Sequence, residues 1–339
     1  MITKTERLPV LGFMLGDYTG IGPEQCARVL ADGRLRDAAR LLVIGDSRVL
    51  AQGSRDAGVE VAWKTYGTPE EVDWSRDDVP MIDLGNLDPG QGFARGVMSP
   101  PSGRITGETL AYMIELAMAG RIDGITFAPL NKAALNQGGW KFNDEHQMFA
   151  SLTKHEGFFG EMNVLDNLWM SRVTSHVSLR TALDQITPQR IDDALTLADA
   201  TMRAAGFARP RIAVAALNPH AGENGLFGRE EIDMIRPTVE RAAARGIACK
   251  GPFAADTVYL KAFAGEYDGV LSMYHDQGQI ATKMKGFNRG VTVTAGLKTV
   301  FTTPAHGTAF DIVGRGVATT GALEQAVRLA ARLAARQGA

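Results

Sequence analysis

Apolar runs alternate with helical patterns along most of the chain. The apolar runs cover residues 10–15, 39–46, 120–130, 170–176, 210–220 and 267–276. They are continuous rather than alternating, which is typical of strands that helices bury on both faces. The helical segments between them include one opened by Pro23 in its first turn. The pattern predicts an α/β fold with a largely parallel sheet.

Two further segments lie outside this alternation. Residues 85–108 are rich in Gly, Pro and Ser, which predicts a long loop or linker. Residues 321–337 have amphipathic periodicity and predict a helix that packs on the sheet or on a subunit.

Length and composition limit the classes of protein. A chain of 339 residues usually forms two domains. A net charge of -2, without runs of like charge, gives no support for a nucleic-acid partner. Cys26 and Cys249 are far apart and form no CxxC motif, which excludes a zinc ribbon and suits a reducing cytoplasm. The sequence shows no signal peptide and no apolar stretch of about 18 residues, so we expect no membrane span.

Three histidines follow apolar runs. His176, His220 and His275 are far apart in sequence, so no local motif such as HExxH joins them. Ligands of open α/β sheets bind at the carboxyl ends of strands, where these side chains would gather. Three imidazoles would leave open positions on a divalent ion, as in catalytic metal sites. The alternative is that each is a hydrogen-bonded loop histidine.

Other polar residues at strand ends are weaker candidates. Asp256, after the turn "GPFAAD", is either a helix cap or a catalytic group. The loop "GDYTGIGPE" at 16–24 is glycine-rich but lacks both the GxGxxG and the Walker patterns, so it is weak evidence of phosphate binding.

The sequence resembles the 4-hydroxythreonine-4-phosphate dehydrogenase (PdxA) family from Gly16 to Gly316. The resemblance is carried, in order, by "GDYTGIGPE", "APLNKAAL", "TSHVSLRTALDQIT", "LNPHAGENGLFGREE", "GPFAADT", "YHDQGQIATK" and "AHGTAFDIVGRGVA". It implies an α/β fold of the isocitrate/isopropylmalate dehydrogenase type, with two α/β/α domains and the active site in the cleft between them. It also implies a homodimer. The expected domains are 1–128 plus 286–339 on the cofactor side, and 129–285 for metal binding, substrate binding and dimerisation.

The resemblance assigns roles to individual residues. It implies metal ligands at His176, His220 and His275, shared between the two subunits. Asp276, next to His275, would be an orienting partner. Lys283 and His146 correspond to substrate-binding positions. The implied cofactor loop comprises His306, Gly307, Thr308, Ala309 and Asp311. An acidic residue at 311 would accept hydrogen bonds from a ribose 2′-OH, which favours NAD over NADP. The alternative for Asp311 is a helix cap.

Several substrate positions depart from the family pattern. Thr292 replaces an Asn, Phe301 replaces an Arg that would grip a phosphate, and Lys298 is a new cation nearby. Gln147 replaces a Thr, and Tyr18-Thr19 replaces Pro-Ala. These changes resemble the branch of terephthalate cis-dihydrodiol dehydrogenases, whose ring substrate would suit an aromatic side chain at 301. The alternative is that Phe301 only packs, while Lys283 and Lys298 hold the anion of a 4-phosphorylated hydroxy acid.

The resemblance predicts NAD- and divalent-metal-dependent oxidation of a secondary alcohol in a hydroxy acid, with decarboxylation. Asp256 or Lys132 would be the general base. Zn, Co, Ni, Mn, Fe or Mg could be the ion. The expected partners are a small-molecule substrate and a second copy of the chain. Two rival classes are an acyl or phosphate transferase of the same broad fold, which needs no NAD, and a metal-dependent hydrolase.

Overall fold

The computed structural model describes residues 7–88, 95–286 and 289–337. Its strands, in chain order, are β1 Val10–Met14, β2 Arg40–Gly45, β3 Trp63–Thr65, β4 Val79–Asp83, β5 Gly124–Phe127, β6 Gly160–Leu165, β7 Leu168–Arg172, β8 Ile212–Ala215, β9 Cys249–Phe253, β10 Gly269–Ser272, β11 Val291–Ala295 and β12 Val300–Pro304.

The α-helices surround these strands. In chain order they are α1 Gly22–Asp32, α2 Ser47–Ala57, α3 Pro100–Met118, α4 Lys132–Gln137, α5 Glu145–Leu152, α6 Leu179–Gln185, α7 Pro188–Ala204, α8 Arg236–Ala244, α9 Ala255–Phe263, α10 His275–Gly286 and α11 Gly321–Gln337. A short π-helical turn, Glu231–Ile235, leads into α8.

The first compact unit comprises Met1–His155 and Leu297–Ala339. Its strands pair in the order β3-β4-β2-β1-β5-β12, and every pairing is parallel. Strand β1 is entirely buried, and so are the last four residues of β2. The predicted last helix, α11, packs on β12, β5 and β1, so its apolar face belongs to this sheet.

The second compact unit comprises Glu156–Gly296. Its strands pair in the order β11-β6-β7-β10-β8-β9. Strands β7, β10, β8 and β9 are parallel, whereas β6 runs antiparallel to both β7 and β11. The sheet is therefore mixed, and the predicted α/β class is confirmed.

The unit boundaries differ from those predicted from the sequence. The segment 129–155 lies in the first unit because α4 and α5 pack against α3. The segment 286–296 lies in the second unit, since β11 pairs with β6 across Thr292 and Asn163.

The predicted loop at 85–108 is wrong over its second part. Helix α3 begins at Pro100, and Ser99 caps it by accepting from the backbone N–H of Ser102 at 3.5 Å. Proline in the first turn of a helix needs no hydrogen-bonded N–H, so "SPPS" starts this helix. Residues 89–94 of the predicted loop lie outside the described ranges. Within those ranges, no helix is long and apolar enough to cross a membrane.

Candidate functional site

The three predicted histidines follow three neighbouring parallel strands. His176 comes after β7, His275 begins α10 after β10, and His220 lies in the turn after β8. Strand β10 pairs with both β7 and β8 in parallel, with Arg172 opposite Ser272. The carboxyl ends of all three strands therefore meet at one edge of the second unit, where open α/β sheets bind ligands.

His176 and His275 lie side by side at this edge. Their ring centroids are 5.5 Å apart, with the planes tilted by 46°. Both line a cavity of about 160 Å³, together with Thr174, Val177, Leu179 and Tyr274. His275 Nδ1 is 2.7 Å from Asp276 Oδ1, the kind of contact that fixes a ring and leaves Nε2 for a metal ion.

His220 is exposed and is not grouped with the other two. It lies in the left-handed turn Pro219–Gly225, with φ 51°, and its ring is 6.1 Å from Phe227. Buried Glu231 holds the start of this turn by accepting from the backbone N–H groups of Leu217 (2.8 Å) and Asn218 (2.7 Å). Over the described part of the chain, no three His, Cys, Asp or Glu side chains are close enough to hold a metal ion.

The residues at the histidine pair fit an incomplete site for a divalent ion. Two imidazoles adjoin each other, and Glu161 Oε2 is 3.8 Å from His176 Nε2. Imidazole nitrogens with a nearby carboxylate suit first-row divalent ions such as Zn, Co, Ni or Mn. A further ligand from outside this group would complete the set.

Helix α10 connects the histidine pair to a candidate anion-binding residue. His275, Gln279 and Lys283 are spaced by four residues, so they share one face of the helix. Lys283 is exposed. The span from His275 to Lys283 is about 12 Å at the rise of an α-helix.

A buried polar network lies behind the histidines, and the sequence analysis missed it. Arg172 Nη2 is 2.8 Å from Glu161 Oε1 and donates to Asn163 Oδ1 at 2.8 Å. Gln279, with its amide oxygen turned toward the guanidinium, accepts from Arg172 Nη1 at 2.6 Å. Asn163 also donates to Thr292 Oγ1 at 3.0 Å. The sequence does contain a signal for this network. Segments 160–165 and 168–172 each contain a charged residue, and buried strands rarely carry unpaired charge.

Three of the predicted substrate contacts, His146, Thr292 and Phe301, are buried in the structure. Phe301 has 0% of its surface exposed and stacks on Phe149, with centroids 4.2 Å apart and planes 7° apart. Phe301 therefore lies in the core, as the packing alternative expects. Thr292 is buried and bonded to Asn163. Lys298, in contrast, is exposed.

The two predicted base candidates differ in their surroundings. Lys132, at the start of α4, donates to Glu145 Oε2 at 2.6 Å. Glu145 is buried, and its other oxygen is 3.8 Å from Nε2 of buried His146. Lys132 is thus engaged as a donor, which opposes its use as a base. Asp256 is exposed in the first turn of α9, and Ala254 occupies the cap position.

The predicted cofactor loop follows β12 in the first unit. The backbone N–H of Ile21 donates to the Thr308 carbonyl at 3.1 Å, which joins this loop to the loop after β1. A Cβ at Gly20 would lie 2.8 Å from Thr308 Cβ, so glycine is needed for this approach. Gly307 and Asp311 are exposed, and Ala309 is left-handed with φ 44°. The loop thus presents open backbone and a carboxylate, which fits a nucleotide ribose.

His306 is held in one orientation within this loop. Its Nδ1 is 3.0 Å from the Gly307 carbonyl and therefore donates, which leaves Nε2 to accept from Gln25 Nε2 at 3.3 Å. Burial lowers the pKa of His306 below its ordinary value of 6.5. The ring is therefore neutral near pH 7.

Comparisons with known proteins agree with this architecture. The family model described as "Pyridoxal phosphate biosynthetic protein PdxA" matches residues 37–330. A Pseudomonas aeruginosa protein provisionally named 4-hydroxythreonine-4-phosphate dehydrogenase 2 is 47% identical, covering 96% of this chain and 97% of its own. D-threonate 4-phosphate dehydrogenase from Cupriavidus necator is 40% identical, covering 98% of this chain and 99% of its own.

Solved structures of similar proteins cover nearly the whole chain as well. A 4-hydroxythreonine-4-phosphate dehydrogenase from Burkholderia phymatum is 38% identical, with a TM-score of 0.80 over 96% of this chain and 98% of its own. A terephthalate 1,2-cis-dihydrodiol dehydrogenase from Burkholderia xenovorans is 25% identical, with a TM-score of 0.66 over 96% and 98%.

The fold and these relatives define an α/β oxidoreductase of the dehydrogenase type. The chain belongs to the PdxA family.

Proposed function

We propose that this chain is a cytoplasmic NAD- and divalent-metal-dependent dehydrogenase that oxidises a secondary alcohol of a 4-phosphorylated hydroxy acid and decarboxylates the product. The observation that carries the proposal is the adjacency of His176 and His275 at the carboxyl ends of two parallel strands. Adjacent imidazoles suit a first-row divalent ion.

His176 and His275 would hold the ion, and His220 of a second copy of the chain would complete the site. Apolar side chains are exposed beside all three histidines, which supports a protein contact there. Val177 and Leu179 adjoin His176, Leu226 and Phe227 adjoin His220, and Ile280 and Met284 lie on α10. A two-fold contact would bring the His220 turn of each protomer to the histidine pair of the other.

When bound, the ion would supply Lewis acidity at the substrate alcohol, and NAD would supply the hydride acceptor. His275 is oriented by Asp276, so its Nε2 faces away from that carboxylate. Lys283 would pair with the anionic end of the substrate as a point charge. The spacing along α10 suits a short chain that reaches from the histidines to that lysine.

Asp256 is the stronger candidate for the general base. An exposed carboxylate can accept the hydroxyl proton, whereas Lys132 already donates to Glu145. Lys132 would instead serve as a fixed positive charge beside Glu145 and His146.

Between the two candidate substrate classes, we favour a phosphorylated hydroxy acid over a cyclic diol. Phe301, the aromatic side chain that would suit a ring substrate, is completely buried. The relatives named for phosphorylated substrates are 47% and 40% identical, whereas the one named for a dihydrodiol is 25% identical. The carboxylate of Asp311 favours NAD over NADP because a 2′-phosphate would meet like charge.

The test is NADH formation with D-threonate 4-phosphate, 4-hydroxythreonine 4-phosphate and a terephthalate cis-dihydrodiol, each with Co²⁺ and with EDTA. The proposal expects turnover of a phosphorylated substrate that EDTA abolishes. Turnover of the dihydrodiol alone would overturn the substrate class. Substrate consumption without NADH formation would favour the transferase or hydrolase alternatives.

A further inference from the structure

Glu161 is a carboxylate beside the histidine pair that no predicted role includes. Its side chain is 11% exposed, and Oε2 is 3.8 Å from His176 Nε2. Its other oxygen is 2.8 Å from Arg172 Nη2 and accepts from Asn163 Nδ2 at 3.1 Å. One oxygen of Glu161 is thus anchored, and the other faces the histidine.

Burying the ion pair between Glu161 and Arg172 costs desolvation free energy. The Arg172 side chain is 6% exposed, and its Nε has no hydrogen-bond partner within the described residues. A buried ion pair commonly contributes less stability than an apolar pair of the same size, so stability alone gives little reason to keep one. The ion pair lies next to His176, a proposed metal ligand, and this position gives a functional reason to keep it.

The network also reaches the helix that carries the second histidine. Gln279 accepts from Arg172 and lies one turn beyond His275 on α10. Glu161 and Asn163 both belong to β6, and Arg172 ends β7, four residues before His176. One guanidinium therefore ties together the strand that bears Glu161 and the two segments that bear the histidines.

We infer that Glu161, held by Arg172 and Asn163, is a positioning residue that strengthens binding of a divalent cation at His176 and His275. Its negative charge favours a cation next to the imidazoles. Outer partners of this kind typically change metal affinity by about 10–100-fold. This inference rests on the proposed metal site.

The experiment is a titration with Co²⁺, followed by the visible absorption of the bound ion, with thermal unfolding to confirm that each variant is folded. Glu161→Gln keeps the shape and the hydrogen bond to Arg172, and we expect it to weaken Co²⁺ binding by about 10–100-fold. Glu161→Asp, which keeps the charge, should lose less. Glu240→Gln, which removes an exposed carboxylate on α8 of the same unit, is the matched control and should bind like the wild type.

A double-mutant cycle separates positioning from a purely structural role. Arg172→Met should weaken Co²⁺ binding less in the Glu161→Gln background than in the wild type, because the part of its effect that acts through Glu161 is already lost there. Glu161→Gln that binds Co²⁺ like the wild type, while His275→Ala loses binding, would overturn the role of Glu161 alone. Equal Co²⁺ binding by the wild type and His275→Ala would overturn the metal site and this role together.

Discussion

His176 and His275 are ring neighbours, with centroids 5.5 Å apart, although about a hundred residues separate them in sequence. Their strands explain the contact, because β7 and β10 are parallel neighbours that end in register at Arg172 and Ser272. Parallel pairing brings the residues that follow both strands to one edge of the sheet. The two imidazoles are therefore positioned by the fold rather than by a local motif.

The two histidines should act as a unit. His176→Ala and His275→Ala should each lower kcat/KM by at least about a hundredfold, since Lewis-acid catalysis supplies several kcal/mol. The double variant should cost little more than either single one, because both remove the same ion. Steady-state kinetics of the three variants checks this, and multiplicative losses would indicate independent roles.

The proposed sharing of the site predicts complementation between inactive protomers. Mixed dimers of His220→Ala and His275→Ala would contain one site with all three histidines and one site lacking two. Random exchange should therefore restore roughly a quarter of wild-type activity, whereas each variant alone stays inactive. Activity is measured after denaturing and refolding the mixture. Failure to restore activity in dimers that have demonstrably exchanged would contradict a shared site.

Lys283 should control substrate affinity. Lys283→Met removes a charge-assisted contact of about 1.5–3 kcal/mol, so KM for a phosphorylated substrate should rise about 10–100-fold. Lys285→Met is the matched control on the same helix, since the Lys285 ammonium lies 5.2 Å over the Phe263 ring. An equal rise in KM for both variants would indicate a general effect of charge or of helix stability.

Phe301 should matter for stability rather than for substrate recognition. It is completely buried and stacked on Phe149, so Phe301→Ala should lower the free energy of unfolding by about 3–5 kcal/mol. KM of the folded enzyme should stay within about twofold of the wild type. Denaturant unfolding and kinetics measure the two effects. Unchanged stability with a raised KM would restore Phe301 as a substrate contact.

Burial of neutral His306 predicts a pH-dependent contribution to stability. Because its folded pKa is depressed below 6.5, the unfolded state binds the proton more readily. The contribution is complete above the unfolded pKa and is lost as pH falls through the folded pKa. His306→Gln should therefore lose less stability than the wild type between about pH 8 and about pH 5.5. If the free energy of unfolding changed equally with pH in the two proteins, His306 would not be the cause of the pH dependence.

The sequence predicted the parallel core of the fold well. Continuous apolar runs gave β1, β2, β5, β7, β8 and β10, because such runs occur where helices cover both faces of a sheet. It missed β3, β4, β9 and β12, and also β6 and β11. The last two pair antiparallel and carry Glu161, Asn163 and Thr292. Polar residues at alternating positions interrupt the apolar runs of these two strands. The hydrogen-bond partners of those polar residues come from other segments of the chain.

Prediction of the site was limited for a similar reason. His176 and His275 could be predicted as neighbours from their positions after apolar runs, because the parallel pairing of β7 and β10 brings the two strand ends together. The burial of Phe301 depends on Phe149, which lies about 150 residues earlier and could not be paired with it from one sequence. Likewise, the ion pair of Lys132 with Glu145 depends on the packing of α4 and α5 beside α3.

The most direct measurement is the rate of NADH formation from D-threonate 4-phosphate by metal-free protein to which Co²⁺ is returned. The account predicts no turnover without the ion, recovery with Co²⁺, and no recovery in the His275→Ala variant. Full turnover by the metal-free wild type, or equal turnover by His275→Ala, would contradict it.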